Sequence, residues 1–384
     1  MQMKLARQFI EFFNSEKTGG LILILCTVVS LIFANSVVQN DYTAFWNTDL
    51  GGHSLTHYIN DGLMAIFFLM IGLELEREIY VGELSDLRSA SLPIFGALGG
   101  MLLPAGLYLA FNFGTSTQSG AGIPMATDIA FAIGILSLLG NRVPASLKIF
   151  LIALAVIDDL GAILVIAIFY TKTLLLHNLL ISLGIFGGML VLNRLKVHNL
   201  IPYLIGGVFM WYFMLNSGIH STISGVLLAF AVPFGKGDER SPSFILQHWI
   251  HKPVAFLILP LFALANTAIV IEPGWYNNLT TNASLGIFAG LIIGKPLGIW
   301  ISSFIAVKLG IGILPEGVNW KHLFGAGLIG GIGFTMSIFI TLLAFEDTAL
   351  INQAKTAVMM SSLVAGFLGF LWLKSTLRIP VIDE

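Results

Sequence analysis

Cysteine is almost absent from this chain, because the 384 residues contain one, Cys26. One cysteine cannot form an internal disulfide or a cysteine-rich metal site, so neither organises the fold. Charged residues are also scarce, at 10% of the sequence, whereas a soluble domain averages about 25%. There is no long basic run and the net charge is -2, which argues against a nucleic-acid partner. These absences point to a membrane protein.

Long apolar runs take the place of the missing charges. Hydrophobic residues make up 56% of the sequence, and about 20 apolar residues are enough to cross a bilayer. The segment up to Lys17 mixes both signs of charge and lacks a small-residue cleavage site, so we interpret the first run as a retained span. The pattern predicts one all-α polytopic membrane domain over residues 1–384. Its twelve predicted spans are 19–34, 57–80, 90–111, 121–140, 146–170, 176–193, 200–215, 218–234, 250–271, 284–307, 323–345 and 354–374.

The lysines and arginines between the runs predict the orientation. With the N-terminus inside, nearly all of the 19 Lys and Arg residues fall in cytoplasmic segments. The outer segments then keep Lys172 and, at the edge of a span, Lys355. Positive charge is enriched in cytoplasmic loops of membrane proteins. The distribution therefore predicts that both chain termini are cytoplasmic.

The loop after the first span is the longest polar segment. It contains the stretch Asp49-Leu50-Gly51-Gly52-His53-Ser54-Leu55. A Gly-Gly pair between short extended stretches is typical of a β-hairpin turn, and an irregular loop is the alternative. The free edge of a hairpin can pair with a second protomer. The loop around Asn47–Leu55 is therefore our candidate contact for a homodimer.

Two adjacent carboxylates, Asp158 and Asp159, lie near the middle of the fifth apolar run. A charged carboxylate at membrane depth costs about 2.5 kcal/mol or more, and the default interpretation of such a residue is an ion or proton site. Neighbours on a helix point about 100° apart, so the two side chains cannot address one ligand equally. We expect one of them to face the ion path and the other to face a different partner.

Two spans carry signs of interruption. In the fourth, Pro124 removes a backbone donor, and the Thr127 side chain beside Asp128 can bond the backbone in place of a helical partner; a proline kink capped by an aspartate is the alternative. In the eleventh, the glycines between 325 and 333 weaken the helix. Broken helices line ion sites in transporters and occur at corresponding places in inverted repeats. The pattern predicts such repeats over spans 3–5 and 10–12.

Lys295 lies well inside the tenth span and needs a counter-ion, which the intramembrane acids can supply. One interpretation is that the buried pair of lysine and aspartate carries a proton, and the alternative is a static ion pair. Na⁺ and Li⁺ are hard cations that prefer oxygen ligands, and Asp158 and Asp159 with Thr127 and backbone carbonyls would form such a site. Protons compete with metal ions for the same carboxylates. This constellation therefore predicts exchange of Na⁺ for H⁺, and net charge moves if two protons leave for each sodium.

Further ionisable residues lie near the span ends. Asp61 is within about a turn of the predicted outer surface, and Glu74 and Glu78 lie one turn apart near the inner end of the same span. Acids at an inner mouth would attract cations and respond to pH; a solvated helix end is the alternative. His220 can titrate or form a structural hydrogen bond. His248 and His251 have a spacing that could bind a metal, but no cysteine or acid is adjacent.

These residues carry a resemblance that runs nearly from end to end. The chain resembles the bacterial NhaA family of Na⁺/H⁺ antiporters. The matching motifs are Ala126-Thr127-Asp128-Ile129-Ala130-Phe131-Ala132, Ile157-Asp158-Asp159-Leu160-Gly161-Ala162, Gly294-Lys295-Pro296-Leu297-Gly298, Gly331-Ile332-Gly333-Phe334-Thr335-Met336-Ser337-Ile338, Gly72-Leu73-Glu74 and Arg77-Glu78.

The resemblance implies a transporter of the inner membrane that is not an enzyme and has no cofactor. It implies twelve spans, crossed interrupted helices 4 and 11, a core bundle of spans 3–5 and 10–12, an interface bundle of spans 1–2 and 6–9, and a homodimer through the hairpin.

By position, the resemblance implies binding of Na⁺ and protons at Asp158 and Asp159. It further implies that Lys295 pairs with Asp158 and that Asp128 offsets charge at the crossing. The positions it links to pH response are Glu74, Glu78, His248 and His220, and Glu76 and Gln247 depart from the family pattern in this region.

Two other functions compete with antiport. A sodium-coupled solute symporter would need a pocket for an organic substrate. An intramembrane aspartyl protease would need two aspartates on separate helices and a Gly-x-Gly-Asp signature. That signature is missing before both Asp128 and Asp158.

Overall fold

The computed structural model describes residues 2–171 and 174–377, and this part of the chain is helical with no strand. Lys172, which entered the orientation argument, lies outside the described residues, as do Met1 and the segment after Leu377. The seventeen α-helices of the described residues are α1 (Gln2–Ala34), α2 (Gln39–Trp46), α3 (Leu55–His57), α4 (Met64–Val81), α5 (Leu87–Asn112), α6 (Ile129–Leu138), α7 (Ala145–Phe169), α8 (Leu176–Arg194), α9 (Ile201–Leu215), α10 (Ile223–Ala231), α11 (Pro242–Pro253), α12 (Leu259–Asn266), α13 (Asn282–Phe288), α14 (Lys295–Lys308), α15 (Trp320–Gly330), α16 (Phe334–Ala344) and α17 (Thr348–Thr376).

Three pairs of these helices are continuous through a π-helical turn. The turns are Tyr58–Leu63 between α3 and α4, Val254–Ile258 between α11 and α12, and Ala289–Gly294 between α13 and α14. π-Helical turns are rare and frequently occur at functional sites. Here one turn contains Asp61 and another ends directly before Lys295.

Within residues 2–171 and 174–377, eight helices are long and apolar enough to cross a membrane, or up to ten if each of two bent pairs counts as one span. The predicted count of twelve is therefore not confirmed. The runs at 200–215 and 218–234 form α9, with 15 residues, and α10, with 9 residues. At 1.5 Å per residue these helices are shorter than the roughly 30 Å hydrocarbon core.

The predicted β-hairpin is not confirmed, because a single isolated antiparallel bridge joins Asp49 and Ser54. Gly51 and Gly52 form its turn with φ of 76° and 100°, a conformation that glycine adopts without strain. No room remains for strands, since α2 ends at Trp46 and the Ser54 hydroxyl already caps α3 by accepting from the His57 N–H at 3.2 Å. The segment is a tight turn between two helices.

Glycines set the crossing of α5 and α14, which carries Lys295. A methyl group built at Gly298 would collide with the carbonyl oxygen of Gly99, and one at Gly99 would collide with that of Gly298. The two backbones therefore approach as closely as small residues allow. This contact holds the helix of Lys295 against the rest of the bundle.

We predict that Gly298→Ala destabilises the protein by about 1–3 kcal/mol, because the added methyl group overpacks the crossing. Thermal unfolding of the purified protein in detergent measures the effect. Gly106→Ala on α5 is the matched control, since nothing lies within 4 Å of a methyl group there and alanine is the better helix former by about 1 kcal/mol. Equal unfolding temperatures of the two variants would contradict the close approach.

Candidate functional site

Two pairs of helical segments are sharply bent at a short break. The 3₁₀ helix Gln118–Met125 and α6 are separated by three non-helical residues and bend by 40°, and α15 and α16 bend by 47° around residues 331–333. At each break the last carbonyls and the first N–H groups lose their helical partners. Such groups need other hydrogen bonds when they are buried.

The two breaks form hydrogen bonds with each other. The backbone N–H of Asp128 donates to the carbonyl of Ile332 at 2.7 Å. The Thr127 hydroxyl lies 2.9 Å from the carbonyl oxygen of Gly330. The broken segments therefore lie against each other, and each supplies partners that the other has lost.

Asp128 accepts hydrogen bonds from the N-termini of the two helices that follow the breaks, α6 and α16. Its Oδ1 accepts from the Phe131 N–H at 3.0 Å and so caps α6. Its Oδ2 accepts from the Thr335 N–H at 3.0 Å and from the Thr335 hydroxyl, in the first turn of α16. Helix N-termini carry partial positive charge, so one buried carboxylate compensates two of them.

Lys295 contacts the C-terminus of a helix, where the partial charge is negative. Its Nζ donates to the carbonyl of Met125, the last residue of the 3₁₀ helix, and to Oδ2 of Asp158 at 2.6 Å. Both Lys295 and Asp158 are fully buried. A cation beside the C-terminal carbonyls of a helix is favourable, and the carboxylate neutralises the ammonium.

The adjacent aspartates face different surroundings. Oδ2 of Asp158 accepts a hydrogen bond from Lys295 and lies 2.8 Å from the Thr127 hydroxyl. The single proton of that hydroxyl can be donated either to this oxygen or to the carbonyl of Gly330. Asp159 instead lines a cavity. Within the described ranges, Oδ1 of Asp158 and Oδ1 of Asp159 have no hydrogen-bond partner. Buried acceptors without partners are rare and typical of sites that bind something else.

The cavity beside Asp159 has a volume of about 30 Å³. A single water needs about 10–15 Å³ by the same measure, so the space suits one or two small species. Its polar lining residues are Thr127, Asp128, Asp159, Glu74 and Thr335, and its apolar ones are Phe67, Met70, Ile71, Ile129, Ala130, Val254, Ala255, Leu259 and Met336. Over residues 2–171 and 174–377, no group of three His, Cys, Asp and Glu side chains forms a conventional metal site.

The structure brings together some of the predicted residues and separates others. Glu74 is at the cavity, whereas Glu78 accepts from the Glu83 N–H at 2.9 Å near the end of α4. Asp61 lies in the π-helical turn before α4, at the opposite end of that helix from Glu78, and contacts His57 at 3.0 Å.

Neither predicted histidine lines the cavity. His220 forms a 3.0 Å hydrogen bond with the carbonyl of Tyr170, which fits the structural alternative. His248 is exposed and its ring stacks on Phe244.

Sequence reasoning did not single out Thr335 or the carbonyl of Met125. Thr335 holds Asp128 with two donors, and Met125 accepts from Lys295. The available signal was position, since Met125 directly follows Pro124 and Thr335 is the second residue after the glycine run.

Comparison with known proteins gives a consistent result. The family model described as Na+/H+ antiporter 1 matches residues 10–373. The chain is 66% identical to a protein of Flavobacterium psychrophilum named Na(+)/H(+) antiporter NhaA, over 100% of both chains. It is 58% identical to a protein of the same name from Cytophaga hutchinsonii, over 100% of this chain and 99% of the relative.

A solved structure shares the fold. The sodium proton antiporter MjNhaP1 from Methanocaldococcus jannaschii, solved at pH 8, superposes with a TM-score of 0.58 over 98% of this chain and 99% of that one. Its sequence identity is 15%, so this likeness concerns the fold alone.

We predict that Asp128→Ala destabilises the protein by about 1–3 kcal/mol, because it leaves buried N–H groups of two helices without acceptors. Thermal unfolding in detergent measures the loss. The control is Asp86→Ala at the exposed N-terminus of α5, where hydrogen bonds from the Ser89 N–H and hydroxyl hold the pKa of Asp86 below its usual range. This carboxylate cap faces solvent, and its loss should matter much less. Equal losses would refute the double-cap role of Asp128.

We predict that Lys295→Met lowers the free energy of unfolding by about 3–5 kcal/mol, because it leaves Asp158 buried without its cation. The double variant Lys295→Met with Asp158→Leu should recover most of that loss, because removal of a whole buried pair is often neutral. Unfolding midpoints of the single and double variants test this. A double variant as unstable as Lys295→Met would show that the ion pair is not the source of the effect.

Proposed function

The chain belongs to the Na⁺/H⁺ antiporter 1 family, and from this membership we propose that it exchanges Na⁺ for H⁺ across a membrane. It is a membrane transporter and not an enzyme. The observation that carries the proposal is Asp159, a buried carboxylate with an unengaged oxygen at a small cavity beside two broken helices.

The donor set suits a small hard cation. Na⁺ and Li⁺ prefer oxygen ligands, and the candidates here are the carboxylates of Asp159 and Asp158, the Thr127 hydroxyl and carbonyls freed at the breaks. Asp128 also lines the cavity, but its oxygens are engaged with helix N-termini. In our proposal Asp159 is the primary sodium ligand.

Protons and sodium compete for the same carboxylates in the proposed cycle. Asp158 binds sodium in one state and Lys295 in the other. Because the Lys295 ammonium is 2.6 Å from the Asp158 carboxylate, the change of partner needs only a short movement. Protonation of the acids displaces the cation, and deprotonation readmits it. If two protons leave for each sodium, one net charge moves per cycle and the exchange is electrogenic.

The remaining elements of the proposal concern the whole molecule. Alternating access would move a core bundle, spans 3–5 and 10–12, against an interface bundle, spans 1–2 and 6–9. The protein would lie in the bacterial inner membrane with both termini cytoplasmic, take up external H⁺ through a periplasmic funnel at Asp61, and pair as a homodimer through the loop around Asn47–Leu55. Glu74, Glu78, His220 and His248 would adjust its activity to pH.

The competing functions fit the geometry less well. Pockets for organic ligands have volumes of about 300–1,000 Å³, and the cavity at Asp159 has about 30 Å³, which disfavours a solute symporter. A protease dyad needs two aspartates that share a proton. Here Asp158 and Asp159 are consecutive, and Asp158 pairs with Lys295.

We predict that wild-type protein in everted membrane vesicles dissipates a pH gradient when Na⁺ is added and that Asp159→Asn does not. The amide lacks the negative charge that binds both Na⁺ and H⁺. A fluorescent ΔpH probe provides the measurement. Asp238→Asn, a change of an exposed loop carboxylate, is the control and should exchange like wild type.

Two outcomes would contradict the proposal. Full exchange by Asp159→Asn would remove that residue from the ion site. Failure of the purified wild-type protein to release protons when Na⁺ is added would contradict competition and favour the symporter.

A further inference from the structure

Lys355 on α17 is a second buried lysine, and its surroundings differ from those of Lys295. Its side chain was expected at the edge of a span, yet the residue is 8% exposed. In the part of the chain that the structure describes, its hydrogen bond is to Oδ1 of Asn266 at 3.3 Å, and no carboxylate forms a salt bridge with it. A buried ammonium without an anion is costly, so this position calls for a functional reason.

Asn266 joins Lys355 to a third element. The Asn266 Nδ2 donates to Oδ1 of Asn60 at 2.7 Å and to the carbonyl of Phe262 at 3.0 Å. Asn60 lies in the π-helical turn before α4, and Asn266 is the last residue of α12. In the proposed division, Lys355 belongs to the core bundle and both asparagines belong to the interface bundle. The Lys355–Asn266 bond therefore crosses the boundary between the moving parts.

A layer of aromatic rings packs near this polar chain, and along α12 its member Phe262 lies between Leu259, which lines the cavity, and Asn266. The Phe339 ring of α16 is 5.3 Å from the ring of Phe68 and 6.3 Å from that of Phe262. All three side chains are fully buried, and Phe67, the neighbour of Phe68, lines the cavity. Phe262 is one helical turn from Asn266. The layer crosses the same boundary, because Phe339 belongs to the core bundle.

We propose that the Lys355–Asn266–Asn60 chain is a latch that, together with the aromatic layer, closes the path from the cavity toward the Asp61 end of the molecule. Movement of α16 and α17 away from α4 and α12 would break the Lys355–Asn266 bond and separate Phe339 from its two partners. This inference rests on the proposed function only in that the closed path is taken to be an ion path.

The chemistry of the latch makes it releasable. With no cation to take its place, an ammonium bound to a carboxylate here would be hard to separate, whereas an ammonium bound to a neutral amide oxygen is held by one charge-assisted hydrogen bond. A ligand can open such a latch by binding the open state more tightly than the closed one. A carboxylate at position 266 would turn this contact into a fixed ion pair.

A thiol between the two layers tests the proposal. Met64 is fully buried and lies in the chain between Asn60 and Phe68, so Met64→Cys in a Cys26→Ser background is the reporter. A membrane-impermeant maleimide is added from the Asp61 side of right-side-out vesicles, and the labelling rate measures opening of the path. The same preparations are assayed for Na⁺/H⁺ exchange.

Lys355→Met should raise the labelling rate about tenfold, because one hydrogen bond to a charged group no longer favours the closed state. Lys355→Arg keeps a donor and should restore slow labelling. Asn266→Asp should do the opposite of Lys355→Met, with slower labelling and slower exchange. Lys308→Met, which changes an exposed lysine at the end of α14, should label like the reporter alone.

The opposite signs separate a latch from a merely structural role. If Lys355→Met does not fold, Asn266→Asp still decides, since wild-type or faster labelling of that variant overturns the latch. Unchanged labelling of a folded Lys355→Met also overturns it. Labelling does not require transport, so absence of exchange in the wild-type protein would defeat the proposed function and leave the latch result readable.

Discussion

A buried backbone group without a hydrogen-bond partner is costly, and each broken helix creates several such groups at one depth. The molecule meets this constraint by laying the two breaks together, so that Asp128 bonds to Ile332 and Thr335. Lys295 then serves the helix end at Met125. Charges of both signs are placed where helix ends require them, and the site is assembled as a consequence.

This assembly separates the roles of two consecutive aspartates. Asp158 points to Lys295 and Thr127, so its charge is compensated inside the protein. Asp159 points to the cavity, where its free oxygen has space beside it but no protein donor in the described ranges. The angular step between neighbours on a helix thus turns two similar carboxylates into a paired one and an available one.

The two buried lysines differ in the kind of partner that each has. Lys295 has a carboxylate and a helix end, and both lie at the breaks. Lys355 has the neutral amide of Asn266, which lies one helical turn from Phe262 of the aromatic layer.

The sequence by itself determined the features that are local in the chain. Apolar runs identified the membrane class, Pro124 and the glycine run predicted interruptions in the two segments where the helices bend, and charge at membrane depth marked Asp158, Asp159, Asp128 and Lys295. Local pattern misjudged Asn47–Leu55, because flanking helices left no residues for strands. Only the tertiary structure decided that Thr335 holds Asp128 and that Lys355 contacts Asn266. Such contacts join residues far apart in sequence, and helix packing, which no local periodicity encodes, sets which of them meet.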